Sequence, residues 1–299
     1  MTVAQPAASR PNEQRVLWNG RTGRAWVDTQ AVLDQMFAPL EALLVDAVRV
    51  SGARRVLDVG CGTGGTTLAV ARRLGDAGSC VGIDVSVPMI VAACARAKRE
   101  GARASFVCAD AQTHAFASAR FDTIISRFGV MFFDDPAQAF ANLRRAATDD
   151  AVLWFVAWRD PADNPFMTTA ERAAAALLPD LPVRRPGAPG PFFFAEPGLI
   201  ASTLKAGGWT SIDVRPLDAG CSFAEKDLAD YLSRIGPVAL ALKDADELTR
   251  RRVAVAVRDA FEPFVHQAEV RFTAACWLVS ARAAPTSTQA QEAADGRAG

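Results

Sequence analysis

The feature of this sequence that most constrains its fold is the run from Val56 to Gly65. Its letters, VLDVGCGTGG, describe a short apolar segment that stops at closely spaced glycines. An apolar run of this kind, ended by glycine, is typical of a strand buried in a parallel sheet. Glycine lets the chain turn tightly and lets a ligand approach the backbone, and a helix beyond the turn offers free N–H groups. The run therefore predicts a nucleotide-type site between a strand and a helix.

The glycine spacing alone fits two kinds of cofactor. Gly60, Gly62 and Gly65 satisfy the GxGxxG pattern of dinucleotide-binding proteins. Gly60, Gly62 and Gly64 satisfy the GxGxG form found in methyltransferases. The choice between the two depends on residues outside the loop.

Three acidic residues favour one cofactor over the other. Asp58 precedes the glycines, where a carboxylate would repel a pyrophosphate but would suit a cofactor with an amino group and a sulfonium. Asp84 ends the next predicted strand, where it can accept hydrogen bonds from ribose hydroxyls of either cofactor. Asp110 and Ala111 follow a third strand, where an acid and a backbone N–H can meet an adenine ring. A third acid at a strand end is not part of the dinucleotide pattern.

Strands alternate with helices over the segment that contains these acids, and Asp135 before Pro136 predicts a helix N-cap. The predicted strands are 55–59, 80–84, 104–108, 121–126 and 151–158, and the predicted helices are 66–74, 88–100 and 136–147. Such alternation predicts an α/β fold with a parallel sheet and right-handed crossovers.

Four runs, VLDVGCGTGG, GIDVS, CADAQ and FDTIISRFGVMFF, carry a family resemblance. Over roughly residues 53–158 the chain resembles class I S-adenosylmethionine-dependent methyltransferases, most closely the small-molecule group that includes the ubiquinone/menaquinone C-methyltransferases. The resemblance implies a doubly wound, mostly parallel sheet of seven strands, a Rossmann-like methyltransferase fold, with an antiparallel last strand. Segments 211–216 and 270–281 would supply the last two strands.

The resemblance also implies S-adenosylmethionine as the cofactor and assigns residues to its parts. The expected cofactor-binding residues lie at strand ends, and they are Asp58, Gly60, Gly62, Thr63, Gly64, Asp84, Met89, Asp110, Ala111, Ser126 and Arg127. The glycine loop with Thr63 would hold the methionine part, and Asp84 the ribose. Asp110 and Ala111 would bind the adenine and Met89 would pack on it, whereas Ser126 and Arg127 would lie beside the sulfonium.

The rest of the chain divides around this core. The predicted domains are a disordered N-terminus (1–13), an N-terminal helical segment (14–52), the cofactor-binding α/β core (53–159), a helical cap or lid in two insertions (160–197 and 220–266), the last strands of the core (198–219 and 267–284) and a disordered tail (285–299). Helical spacing of apolar residues predicts one helix over 26–50 with a kink at Pro39.

Several aromatic residues are candidates for a substrate pocket. Phe128, Met131, Phe132 and Phe133 follow the fourth strand, where substrate and cofactor would meet. The run 192–194 can either line an apolar pocket or anchor the cap. Trp18 and Trp26 can either close over the cofactor or pack as ordinary core residues, and an apolar or aromatic acceptor is favoured.

Methyl transfer from a sulfonium requires mainly that nucleophile and methyl carbon be held in line, because the leaving group departs neutral. A general base is needed only when the nucleophile must lose a proton. His114, His266 and Tyr231 are the candidates, but each is also explained as a structural or surface residue. No catalytic residue is assigned, and no acceptor atom is named.

Composition narrows the function classes. Lys and Arg together equal Asp and Glu at 33 each, for a formal net charge of +0, so no overall basic field would attract nucleic acid. The six cysteines show no CxxC spacing, which predicts reduced thiols and no metal. With no apolar leader and no stretch long enough to span a membrane, a cytoplasmic protein is expected.

The sequence thus predicts an enzyme, a methyltransferase acting by in-line transfer on a small-molecule acceptor. Two alternatives stay open: an NAD-dependent oxidoreductase, and a non-catalytic S-adenosylmethionine-binding protein. The partners expected are the small-molecule acceptor, with no nucleic acid and no membrane span. The oligomeric state is left open.

Overall fold

The fold is described from a computed structural model of the chain. The structure describes residues 13–182, 184–185 and 187–284. The disorder predicted for 1–13 and 285–299 lies outside the described residues, except that Glu13 begins the first helix.

One sheet organises the described chain. Its strands are β1 (Arg55–Val59), β2 (Ser79–Asp84), β3 (Ala104–Cys108), β4 (Phe121–Arg127), β5 (Ala147–Trp158), β6 (Trp209–Ala224), β7 (Val265–His266) and β8 (Glu269–Ala283). The order is β3-β2-β1-β4-β5-β8-β6, with β7 beside β8. Strands β1 to β5 pair in parallel, and β8 runs antiparallel to both β5 and β6. The predicted doubly wound, mostly parallel sheet is confirmed, with the short β7 in addition.

Strand β1 lies in the middle of the parallel part. Val56 and Leu57 are fully buried, as their place between β2 and β4 requires. The chain moves from β1 outward to β2 and β3, and then returns to the other side of β1 with β4. An open α/β sheet forms a crevice at the carboxyl ends of its strands where the strand order reverses in this way. The glycine run that follows β1 is therefore at the mouth of the crevice.

Helices cover both faces of the sheet. They are α1 (Glu13–Asn19), α2 (Arg21–Asp28), α3 (Gln30–Met36), α4 (Ala38–Val50), α5 (Gly65–Leu74), α6 (Val87–Glu100), α7 (Pro136–Ala146), α8 (Pro165–Ala174), α9 (Pro197–Ala206), α10 (Leu228–Arg234), α11 (Pro237–Ala241) and α12 (Glu247–Ala260). Asp135 caps α7 as predicted, because its carboxylate accepts the Gln138 N–H at 2.9 Å. Among the described helices, none has the length and apolar character that a membrane crossing requires.

The N-terminal helical segment differs from its prediction. Instead of one kinked helix over 26–50, the chain forms α2, α3 and α4, with breaks at Thr29 and Phe37. Pro39 falls in the first turn of α4, where its missing N–H leaves no helical hydrogen bond unmade. The proline therefore starts a helix where the sequence pattern indicated a bend.

Strand β6 is longer than the predicted 211–216. It continues through Pro216 to Ala224 and pairs with β8 along that length. Proline is tolerated because β6 is the edge of the sheet, where an N–H facing away from β8 has no strand to bind. Residues 220–224, expected to begin the second insertion, thus extend the sheet. The division of the chain into core and cap remains a prediction.

Aromatic rings fill the C-terminal half. Phe166 of α8 stacks on Phe272 of β8, with ring centroids 3.8 Å apart and planes within 6°. Phe194 is fully buried and packs against Phe140 and Phe155 of the core. Of the two interpretations of the run 192–194, the structure favours an anchor for Phe194.

Candidate active site

A cavity of about 380 Å³ opens at the carboxyl ends of β1 to β4. Seven residues predicted from sequence to bind the cofactor line it: Gly60, Gly62, Asp84, Met89, Asp110, Ala111 and Arg127. They come from the ends of four strands and from α6, so only the folded sheet brings them together.

The glycine loop forms the floor of the cavity. The N–H groups of Gly60 and Cys61 both donate to the Ile83 carbonyl, at 2.8 and 3.1 Å, which holds the loop against β2. Gly60 has φ +68°, and a Cβ there would lie 2.5 Å from the Gly129 Cα. Glycine is therefore required at this point both for its backbone conformation and for the close approach of the β1 and β4 ends.

Asp84 is buried at the end of β2 and held in one orientation. One carboxylate oxygen accepts the Gly62 N–H and the other accepts the Ser86 N–H, each at 2.8 Å. Burial raises the pKa of Asp84, and these backbone donors counter the rise by stabilising its ionised form. The carboxylate thus ties the glycine loop to the turn after β2 while lining the cavity.

The turn after β3 presents a second acid. The Asp110 carboxylate is exposed and accepts the Gln112 N–H at 2.8 Å. Ala111 is buried, and its carbonyl accepts a hydrogen bond from the Asn142 side chain at 2.9 Å. Within the described chain no hydrogen-bond acceptor meets the Ala111 N–H. An acceptor carboxylate and a backbone donor thus lie one residue apart on the cavity wall.

The end of β4 places a cation and a strained residue in the cavity. The Arg127 guanidinium lies 5.6 Å from the Phe37 ring centroid, and among the described residues it forms no ion pair. Phe128 has φ +66°, a conformation that costs a bulky residue on the order of 1–3 kcal/mol. Its ring is fixed by stacking on Trp158, with centroids 4.4 Å apart. Strain held by packing in this way is common where a fold positions functional groups.

Four predicted cofactor residues do not line the cavity. Ser126 is fully buried, and its hydroxyl donates to the Val59 carbonyl at 2.8 Å. The Thr63 carbonyl accepts from Arg96, and Gly64 packs against the Phe106 ring. Asp58 is buried beneath the loop, where it accepts the Thr67 hydroxyl at 2.6 Å. These four residues thus make contacts within the protein that hold the loop and the strands behind it.

One wall of the cavity is aromatic, and we call Trp18, Trp26, Phe128 and Phe132 the aromatic wall. The Trp18 ring meets the edges of Trp26 and Phe132, with centroid distances of 5.8 and 5.1 Å. Of the two interpretations of the tryptophans, the structure favours a place at the cavity. Phe133 also lines it.

Sequence reasoning missed two cavity residues on α1, Gln14 and Arg15. Helix α1 buries none of its residues, so no apolar periodicity points to its position. The only signal available was the pair of tryptophans nearby.

The three candidate bases lie off the cavity wall. His114 packs its ring edge against Phe116, and His266 is an exposed residue of β7. Tyr231 is buried against Phe166, and burial raises the pKa of its hydroxyl, which disfavours proton transfer from it at neutral pH. Among the described residues no three His, Cys, Asp or Glu side chains come together as metal ligands.

Comparison with known proteins gives the family of this site. Residues 56–150 match a family model described as a methyltransferase domain. This segment of the chain belongs to the methyltransferase domain family. The match confirms the predicted family for this segment.

Two relatives of this chain are themselves named as methyltransferases. The chain is 29% identical over 196 residues to nocamycin O-methyltransferase of Saccharothrix syringae, covering 61% of this chain and 68% of that protein. It is 27% identical over 187 residues to a demethylmenaquinone methyltransferase of Renibacterium salmoninarum, covering 60% and 76%.

Other matches are partial or show the fold alone. An uncharacterized protein of Mycobacterium tuberculosis is 30% identical over 158 residues, which cover 53% of this chain and 56% of that protein. The chain thus matches only about half the length of that curated relative. The crystal structure of the YcgJ protein of Bacillus subtilis superposes with a TM-score of 0.53 at 17% identity, covering 82% of this chain and 98% of that one, and so shares the fold.

Proposed function

We propose that this protein is a methyltransferase that transfers the methyl group of S-adenosylmethionine to a small, apolar or aromatic acceptor. The observation that carries the proposal is the carboxylate of Asp84, which is held by two backbone N–H groups at the rim of a cavity floored by the glycine loop. Relatives named as nocamycin O-methyltransferase and aklanonic acid methyltransferase support a small-molecule acceptor.

The adenosine part of the cofactor fits the β2 and β3 ends. Asp84 would accept hydrogen bonds from the ribose hydroxyls. Because its carboxylate is already held in one orientation, it loses little conformational entropy when the cofactor binds. Asp110 would accept from the adenine amino group while the Ala111 N–H donates to a ring nitrogen. Met89 is buried beside Gly62 and would pack on the adenine face.

The methionine part fits the floor between β1 and β4. Gly60 and Gly62 would border it, with Thr63 and Gly64 shaping the loop behind them. Arg127 lines the cavity with a guanidinium that has no ion pair in the described chain. A cation beside a sulfonium is favourable only with an anion between them, so we propose that Arg127 takes the carboxylate of the methionine part.

The acceptor fits against the aromatic wall. Flat apolar rings stack favourably on Trp and Phe side chains. Bound S-adenosylmethionine supplies an electrophilic methyl group. The protein's contribution is to hold a nucleophile in line with it, which is worth up to about 7–11 kcal/mol in favourable systems.

No His, Tyr, Lys or Cys side chain of the described residues lines the cavity. A nucleophile that is already ionised, or that ionises readily, therefore suits the site better than one that needs a strong base. That nucleic acid is not a partner, and that the protein is cytoplasmic, remain predictions from the sequence.

Binding of S-adenosylhomocysteine to variants tests the assignment of residues. Asp84→Ala and Asp110→Ala should each weaken binding, by roughly 10- to 100-fold for the buried Asp84, because hydrogen bonds to a charged group are lost. Arg127→Met should weaken S-adenosylhomocysteine but not methylthioadenosine, which lacks the carboxylate. Asp46→Ala, on the exposed face of α4, is the matched control.

Transfer of a labelled methyl group to the small-molecule fraction of an extract from the producing cells tests the activity. We expect labelled product with wild type and much less with Asp84→Ala at the same cofactor concentration. Tight cofactor binding without transfer to any compound would favour a non-catalytic binding protein. Unchanged affinity in both acid variants would refute the assignment.

A further inference from the structure

Gln14 of α1 carries an unsatisfied group at the cavity. Its side chain lines the cavity, and its amide oxygen Oε1 is buried without a hydrogen-bond partner among the described residues. A buried acceptor left unpaired is costly, so most such groups in native proteins meet a donor from the chain, a water or a ligand. The position of this acceptor on a ligand cavity points to a donor on the ligand.

The hydrogen bonds that hold α1 indicate which part of the ligand would carry that donor. Asn19 donates to the Val85 carbonyl and accepts the Val87 N–H, each at 2.9 Å. The Ser86 hydroxyl donates to the Trp18 carbonyl at 2.7 Å. These contacts tie the end of α1 to the turn directly after Asp84, the residue assigned to the ribose.

The start of α1 lies over the same half of the cavity. Gln14 and Arg15 line the cavity together with Val85 and Ala109, the residues that directly follow β2 and β3. Helix α1 therefore spans the ends of β2 and β3, which border the adenosine half. The methionine half lies toward β1 and β4.

We infer that Gln14 Oε1 accepts a hydrogen bond from the adenosine part of the bound cofactor, so that closure of α1 over the cavity depends on cofactor occupancy. The inference rests on the proposed function. The donors available on adenosine are the two ribose hydroxyls and the 6-amino group. The hydrogen bonds that tie α1 to the turn after β2 lie at its last turn, so a contact of Gln14 with ligand would add an attachment at its first turn.

Affinity for S-adenosylhomocysteine, measured by calorimetry, tests the inference with two substitutions. Gln14→Leu keeps the size of the side chain but removes the acceptor, and it should weaken binding about tenfold. Gln14→Glu keeps an acceptor oxygen and should stay within about threefold of wild type. Val16→Ala is the matched control, because Val16 lies on the same helix, is 72% exposed and does not line the cavity.

Adenosine analogues identify the donor. The analogues tested are 2′-deoxyadenosine, 3′-deoxyadenosine and purine riboside, each of which lacks one possible donor. For the analogue that lacks the donating group, Gln14→Leu should bind with the same affinity as wild type. Hydrogen exchange should show residues 13–19 becoming protected when wild type and Gln14→Glu bind S-adenosylhomocysteine, and less so in Gln14→Leu.

Equal affinity of wild type and Gln14→Leu would overturn the inference while leaving the proposed function intact. An equal loss in Gln14→Leu and Val16→Ala would also overturn it, because it would indicate a general effect on α1. Wild type that fails to bind S-adenosylhomocysteine would refute the proposed function, and the inference with it. Circular dichroism of each variant shows whether it is folded.

Discussion

Asp58 is an acid whose pKa in the folded protein is well above the ordinary value for aspartate. It lies directly beneath the glycine loop, where burial raises its pKa from an ordinary 3.8 to about 6, against the lowering effects of the Thr67 hydroxyl and the Arg127 charge. Acids with perturbed pKa values are common near functional sites, and Asp58 lies behind the loop that lines the cavity. Burial makes its ionised form costly, and a cationic cofactor above the loop would favour that form.

The raised pKa predicts how stability depends on pH. A carboxyl whose pKa is higher in the folded state contributes stability that is present below its unfolded pKa and is lost as pH rises through about 6. Asp58→Asn removes this titration and keeps an acceptor for Thr67. From pH 4 to pH 7 the free energy of unfolding of the variant should rise relative to wild type, on the order of 2–3 kcal/mol.

Urea unfolding at several pH values measures the difference. Asp46→Asn, which replaces an exposed acid on α4, is the control. A difference between Asp58→Asn and wild type that stays constant from pH 4 to pH 7 would contradict the account.

At the scale of elements, the site depends on how closely β1 and β4 approach each other. A Cβ on Gly129 would lie 2.5 Å from the Val59 carbonyl oxygen and 2.7 Å from the Gly60 Cα. Both contacts involve backbone atoms, which cannot rotate away as a side chain can. The loop after β1 and the turn after β4 are therefore fitted to each other through two glycines.

We expect Gly129→Ala to lower the free energy of unfolding by about 1–3 kcal/mol, the usual cost of overpacking, and to weaken S-adenosylhomocysteine binding. Gly198→Ala in α9 is the matched control, since a Cβ there meets no atom within 4 Å. Thermal unfolding and calorimetry of both variants check this. A Gly129→Ala protein as stable as wild type would show that the two turns are not tightly fitted.

Strands and helices were predictable from the sequence where nearby residues alone determine where they begin and end. The strands predicted between 55 and 158 are short, mostly apolar runs separated by glycine or by helices with clear sequence signals, and β1 and β3 fall at their predicted bounds. Strand β6 was predicted too short because Pro216 normally ends a strand, and its tolerance depends on an edge position that only the whole sheet defines. The breaks at Thr29 and Phe37 were missed because apolar spacing continues across them.

At the scale of the whole molecule, the cavity joins parts of the chain that are far apart in sequence. Predicted residues such as Asp84 and Asp110 reach it because every parallel strand ends at the same edge of the sheet. Asp58 and Ser126 do not line it because side chains along a strand alternate in direction, which end-of-strand reasoning did not resolve. Gln14 and Trp18 reach it through tertiary contacts of α1 with the turn after β2, which no local pattern encodes.

The measurement that tests the central claim most directly is a calorimetric titration of wild-type protein with S-adenosylmethionine, S-adenosylhomocysteine and NAD. Asp58 beneath the loop disfavours a pyrophosphate, and the third acid, Asp110, suits an adenosyl compound. We predict that both adenosyl compounds bind at this cavity and that NAD binds far more weakly. NAD binding tighter than either adenosyl compound would contradict the account.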